Sequence, residues 1–416
     1  MRILMASEEF KRNLLCYIFC LFILSSVLTT PLGLKVFFYV LTLIGLIFIT
    51  DYKTAIKSNY LNYLVYLTFV LLCFFSYLFL GSDDSQFSES PQLENILALF
   101  ILFVFLISWK VTYADIMNAL VTTISLYLLI SLPIHYFFYE SSLLTATAFF
   151  SHFENESLSN KNTLGILLSL ILPFCLLRLG QKLNIYNFLV VILFNCAIFY
   201  TFSRAALILS ALVTLFFLFS FRKNLFKASL ISLISILTLL FSFDVSPNKY
   251  NELKFESNSQ VFKHDSMYLD QADISLRNDP SKTFSTQGAR FLYLKLSLEG
   301  FLEKPFFGHG LTTFRKNHET LDDEGRLVRK AVTHNDYAQV IYEMGILGLL
   351  SFLSLFIFNF LKIFQITALK TDESVNVFIQ CLILAISLNS GNYIDHSVFW
   401  MFMGITLLKT SPTGTK

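Results

Sequence analysis

The chain has 416 residues, 55% of them hydrophobic and only 14% charged, whereas a soluble fold carries nearer a quarter charged residues. That excess of apolar surface excludes an ordinary soluble domain. A net charge of +2 names no partner, and nothing in it asks for nucleic acid.

Apolar runs of about 17–25 residues, each long enough to cross a bilayer's hydrocarbon core as a helix, recur along the chain and give about twelve spans. They are expected near 14–30, 34–50, 60–80, 93–109, 114–139, 162–179, 185–202, 205–221, 228–243, 345–364, 374–390 and 393–409. The fold class is therefore all-α, a polytopic membrane protein. The first run follows Lys11 and Arg12 without a small-residue cleavage site, and reads as an uncleaved helix rather than a signal peptide. Every cysteine lies in an apolar run (Cys16, Cys20, Cys73, Cys175, Cys196, Cys381), so no disulfide framework is written.

Basic residues fill every second connection or end: Lys53 and Lys57, Lys110, Arg178 and Lys182, Arg222, Lys223 and Lys227, Lys362 and Lys370, and Lys409. The alternate connections hold only Lys35, Lys161 and Arg204, and one, G-S-D-D-S-Q-F-S-E-S-P, is purely acidic. The positive-inside rule then puts both termini in the cytoplasm. The unbroken apolar stretch 185–221 is too long for one span, and a mid-membrane Arg204 would be costly. Two helices meeting near Thr201–Arg204 resolve it.

One long connection, 244–333, joins spans nine and ten on the non-cytoplasmic side and is long enough for a small subdomain. Its first part, Asp244–Ser285, is Ser/Asn/Asp-rich and loop-like. Its second, Gln287–Glu303, has helical spacing. Phe291, Leu294, Leu298, Phe301 and Leu302 fall on one side and Lys295 and Glu299 on the other. The spacing predicts an amphipathic helix on the membrane surface with Arg290 in its first turn. Pro305 stops it, and Gly308 and Gly310 supply the turn after it.

The polar residues near this loop carry the candidate chemistry. Arg204 either snorkels to the interface or, set against the positive-inside bias at a helix end, grips phosphate oxygens bidentately. Arg290 is either a solvated charge or an anion ligand helped by a helix N-terminus. His334 sits where the chain re-enters the membrane, followed by Asn335 and Asp336; an imidazole there can accept a hydroxyl proton. His309, Arg315, His318, Arg329, Lys330 and Glu343 form a second rank whose surface or structural readings come first. No P-loop, D-x-D pair, zinc spacing or G-x-S-x-G is present. With nucleotide energy confined to the cytoplasm, a reaction on the far side needs a pre-activated donor such as a lipid pyrophosphate.

Together, F-S-R-A-A-L at 202–207, Q-G-A-R at 287–290, E-K-P-F-F-G-H-G at 303–310, H-N-D-Y at 334–337 and E-M-G-I-L-G-L-L at 343–350 resemble the O-antigen ligase and polymerase superfamily of bacterial envelope proteins. The resemblance runs from about Arg178 to Phe360. It implies helices one to nine over 1–243, a periplasmic loop subdomain with its amphipathic helix over 244–344, and helices ten to twelve over 345–416. Within the superfamily the chain looks most like O-antigen ligase, a multi-pass protein of the bacterial inner membrane. Such an enzyme moves a polysaccharide from undecaprenyl pyrophosphate to a sugar of the lipid A–core in the periplasm, with no metal or cofactor. The resemblance makes Arg204 and Arg290 the residues that hold the pyrophosphate and stabilise it as leaving group, and His334 the one that activates or orients the acceptor hydroxyl; Asn335 and Arg315 are expected beside them as further substrate contacts. Membrane lipids are the remaining partner. The nearest alternative is the polymerase, which adds the same donor to a second lipid-linked glycan and tends to carry R-x10-G patterns in two large loops. Here the loop 140–161 is short and lacks arginine, although Arg277 to Gly288 fits the spacing. Protein O-oligosaccharyltransferases and lipid-glycan flippases are the more distant alternatives.

Overall fold

The computed structural model describes residues 2–27, 32–49, 52–80, 92–108, 111–138, 161–201, 203–219, 223–242, 286–318, 320–321, 327–329, 333, 335–367, 372–389 and 396–408. The loop-like segment expected at 244–285 lies outside them. The helices in chain order are α1 (Arg2–Val27), α2 (Leu32–Ile49), α3 (Tyr52–Leu80), α4 (Gln92–Ser108), α5 (Tyr113–Phe138), α6 (Lys161–Gln181) and α7 (Ile185–Tyr200). There follow α8 (Arg204–Leu218), α9 (Lys223–Ser242), α10 (Thr286–Glu303), the short α11 (Thr313–His318), α12 (Asp336–Thr367), α13 (Asp372–Ser387) and α14 (Ser397–Ile405).

Among the described residues, five helices are long and apolar enough to cross a membrane: α1, α3, α5, α6 and α12. Shorter apolar helices lie in α2, α4, α7, α8, α9 and α13. Each expected span overlaps a helix, and the molecule is a mostly helical polytopic membrane protein. One small departure from all-α is an antiparallel pair, β1 (Thr320–Leu321) with β2 (Leu327–Arg329), after α11.

The stretch 185–221 is two helices, as the cost of a buried Arg204 requires. Asn184 caps α7 by accepting from Asn187 N, and the helix ends at Thr201. Ser203, in extended conformation, then caps α8 by accepting from Ala206 N. The turn between them presses on α6: a Cβ at Gly165 would lie 2.8 Å from Ala206 Cβ and 3.0 Å from Thr201 Oγ1, so only glycine lets the two segments approach.

α6 is almost wholly buried, and polar side chains lock its neighbours to it. In hydrocarbon no water satisfies a stray polar group, so interhelical hydrogen bonds hold both register and partner. Gln380 Nε2 donates to Leu170 O at 2.7 Å, Tyr113 donates to Gln380 Oε1 at 2.8 Å, and Asn376 donates to Tyr113 at 2.8 Å. Asn195, Ser232 and Thr214 tie α7, α9 and α8 in the same way. Elsewhere the core is aromatic: Trp400 is fully buried among Tyr66, Phe69, Phe100, Phe103 and Phe399.

Candidate functional site

The same contacts fix which helix ends meet. Asn376 is bonded to Tyr113, whose ring packs on Phe174, while Gln380 reaches Leu170. α13 therefore runs antiparallel to α6 and finishes near the start of α6, where Gly165 meets the α7–α8 turn. The end of α13 holds the start of α12: Asp336 N donates to Leu388 O at 2.9 Å and Tyr337 donates to Ala385 O at 2.8 Å. The starts of α8 and α12, carrying Arg204 and Asn335, thus share one end of the bundle.

At that end Arg204 is the first residue of α8 and its side chain is exposed. Its position at a helix N-terminus, where the peptide dipole favours negative charge, suits an anion. Asn335 caps α12: its Oδ1 accepts from Ala338 N at 3.1 Å, and its own N–H donates to Thr333 Oγ1 at 3.4 Å. The amide oxygen is thereby committed to the helix, leaving the NH2 group as the arm of Asn335 suited to a substrate oxygen. Arg290 lies in the first turns of α10 and Arg315 in α11, with side chains outside the described residues. His334 and Lys330 lie outside the described residues altogether, and of Arg329 only the backbone, in β2, is described.

The E-K-P-F-F-G-H-G turn does more than end α10. The helix that carries the expected tenth span begins at Asp336 and is broken at Gly345 (φ 62°, ψ −160°). An unbroken helix would bond Ile346 N to Tyr342 O and Leu347 N to Glu343 O. Here Ile346 N donates instead to Pro305 O at 2.8 Å and Leu347 N to Phe306 O at 3.3 Å. The freed carbonyls accept from the same turn, Tyr342 O from His309 N at 3.0 Å and Glu343 O from Gly310 N at 2.8 Å. The turn replaces both sides of the broken ladder. Glycines permit the approach: Gly308 has φ 71° and Gly345 φ 62°, and a Cβ on either would lie 2.5 Å from the other segment's backbone.

Side chains reinforce this clamp. Glu343, 1% exposed, accepts from Phe314 N at 3.2 Å and Gln339 Nε2 at 3.3 Å, while Ser76 of α3 donates to its backbone oxygen. The His309 ring stacks on Tyr342 with centroids 4.6 Å apart. Its Nε2 lies 2.9 Å from Gly300 O, a carbonyl that can only accept, so that nitrogen carries the proton; Glu303 Oε2 is 3.7 Å away. Asn317 donates to the Tyr342 hydroxyl at 2.9 Å. His318 packs against Phe314 and Tyr342. Burial pushes its pKa down, the neighbouring His309 pushes the same way, and Glu303 opposes them. The second-rank residues His309, His318 and Glu343 are thus gathered into one cluster. Tyr342, Gln339, Asn317 and the break at Gly345 were not singled out by the sequence. The available signal was Glu343 itself, a carboxylate in an apolar run.

These features define a polytopic helical membrane protein with the starts of α8 and α12 at one end of the bundle and, further along α12, a broken helix held by a docked turn. A protein-family model described as O-antigen ligase matches residues 188–353, a segment that holds Arg204, Arg290, Arg315, Asn335 and the whole clamp. The match supports assignment to the O-antigen ligase superfamily, which covers O-antigen ligases and related polymerases, glycosyltransferase-like enzymes of lipid-linked polysaccharides. Comparison with curated proteins finds no match.

Proposed function

We propose that the chain is an O-antigen ligase of the bacterial inner membrane that works on the periplasmic side. Its donor is a polysaccharide on undecaprenyl pyrophosphate and its acceptor a hydroxyl of the lipid A–core. The observation that carries this reading is the O-antigen ligase match over 188–353, the segment that contains the arginines, His334 and Asn335.

In this reading the acceptor oxygen attacks the anomeric carbon as the bond from that carbon to the phosphate oxygen breaks. The hydroxyl proton passes to His334, and the bonding electrons leave with the lipid pyrophosphate. Arg204 and Arg290 hold that diphosphate and stabilise the charge that builds on it, with Arg315 and the Asn335 amide as further contacts. Catalysis of this kind is positioning plus electrostatic stabilisation, and the proposal assigns no step to a metal or cofactor.

The polymerase reading draws on the Arg277-to-Gly288 spacing, and the lipopolysaccharide profile of a deletion strain separates the two. A ligase predicts a core bare of polymer while lipid-linked polymer accumulates. A core bearing a single repeat unit would replace the ligase by the polymerase, and an unchanged profile would discard both.

A further inference from the structure

α10 borders three environments. Tyr293, Ser297 and Gly300 are buried on the side facing α12, where a Cβ at Gly300 would lie 2.2 Å from the Tyr342 ring. Leu294, Leu298 and Leu302 form a second stripe, roughly 120° around the helix at 3.6 residues per turn, and are 38%, 48% and 75% exposed. A third stripe is charged: Lys295, Glu299 and Glu303, the first two 3.6 Å apart. The leucines belong to the apolar side that the sequence sets against the membrane surface, and they point away from the side that packs on the protein, Tyr293/Ser297/Gly300. The turn prolongs the leucine stripe with Phe306 and Phe307, 66% and 49% exposed.

What covers this ridge follows from what it adjoins. The Phe307 ring lies 6.1 Å from that of Phe75, near the end of the apolar α3 span, where Phe74, Phe75 and Leu78 are all turned outward. Phe306 O holds Leu347 N, and Leu347 and Leu350 face outward from α12. The ridge therefore continues the lipid-facing surface of two spans, with the basic side chains of Lys295 and Lys304 exposed beside it. An apolar stripe bordered by a charged one, here Lys295, Glu299 and Glu303 with Lys304 after them, is the pattern of a helix lying in a bilayer interface.

We infer that Leu294, Leu298, Leu302, Phe306 and Phe307 are immersed in the acyl-chain border of the leaflet at this end of the bundle. The ridge anchors α10 and the clamp at the height of the membrane surface. The occupant is the bilayer itself, not a second copy of the chain and not the tail of a bound substrate. The inference rests on the polytopic fold and stands apart from the ligase reading.

The test uses the full-length protein in nanodiscs, with an environment-sensitive fluorophore on Leu302→Cys, Phe306→Cys or Glu299→Cys and the native cysteine background subtracted. Positions 302 and 306 should be quenched several-fold more by lipids carrying a shallow nitroxide than by aqueous iodide, and position 299 the reverse. Equal iodide quenching at 302 and 299 would overturn the inference. A blue-shifted signal at 302 that ignores lipid quenchers and grows with protein concentration would assign the ridge to a second copy. Shielding that appears only after a polyprenyl pyrophosphate is added would assign it to a substrate tail. Either result sinks the bilayer assignment.

Discussion

Replacing Gly345 by alanine tests whether the broken helix is held open by the turn. The bent state needs φ 62° and ψ −160° at this residue, a region that costs a side-chain-bearing residue about 1–3 kcal/mol. A straight helix, by contrast, gains about 1 kcal/mol when Ala replaces Gly. The substitution therefore shifts the balance from bent to straight by ~2–4 kcal/mol, or about 30- to 1000-fold. The clash of the new Cβ with Phe306 O, at 2.5 Å, pushes the same way. The straight form would restore the Tyr342–Ile346 and Glu343–Leu347 bonds within α12 and strand the turn. Amide exchange then gives an asymmetric signature: His309 and Gly310 lose protection by at least about 30-fold, while Ile346 and Leu347 keep theirs. Leu350→Ala, at an exposed site one turn on, should change neither set. If Gly345→Ala protects His309 and Gly310 as the native chain does, the interlocked glycines do not hold the turn and the reasoning fails.

Arg204→Lys should insert normally yet lose most transfer activity, because lysine keeps the charge but not the planar fork that grips two phosphate oxygens; near-native ligation would make Arg204 an interface anchor. His334→Ala should bind the lipid-linked donor as before and transfer about 10²–10⁴ more slowly. Substantial turnover would remove the imidazole from the mechanism, and equal loss of donor binding would make it a phosphate ligand. His318 has a folded pKa below its usual 6.5, so above that value the imidazole is neutral folded or unfolded and the cluster keeps its full stability. As pH falls through 6.5 and then through the lower folded value, the unfolded loop binds the proton first and stability is lost. Exchange protection in 313–318, corrected for intrinsic rates, should fall more between pH 7 and 5 in the native chain than in His318→Gln, and equal pH profiles would refute this.

What the sequence made legible follows from which signals are local. The break between α7 and α8 was readable because one arginine in lipid is costly enough to force a helix end, and Ser203 supplies the cap just before it. α10 was readable from its period and from Pro305. Its protein-facing side was not, because Tyr293, Ser297 and Gly300 form no apolar stripe, so period alone marks only the leucine side. The break at Gly345 was hidden for a related reason. E-M-G-I-L-G-L-L reads as continuous apolar helix, and glycine is common within membrane helices. The partner that makes the break stable lies about forty residues earlier in the chain, a pairing no local pattern encodes.

Near the edge of a bilayer the backbone accounting leaves little freedom. Breaking α12 takes the helical partners from Tyr342 O, Glu343 O, Ile346 N and Leu347 N where water is scarce, and each unsatisfied group costs about 1–3 kcal/mol when buried. The 305–310 turn offers the complementary set, with two carbonyls followed by two N–H groups, and all four bonds form. The break and the turn therefore need each other, and these backbone bonds tie the end of α10 to the start of α12 before any side-chain contact is added. Glu343 extends that coupling, since its backbone oxygen belongs to the clamp while its carboxylate holds Phe314 N and Gln339. α11, which carries Arg315, is thus positioned by the same residue that closes the break. A change at Gly345 should accordingly reach α10 and α11 together, whereas a change at Arg204, on a helix capped independently by Ser203, should leave the clamp intact.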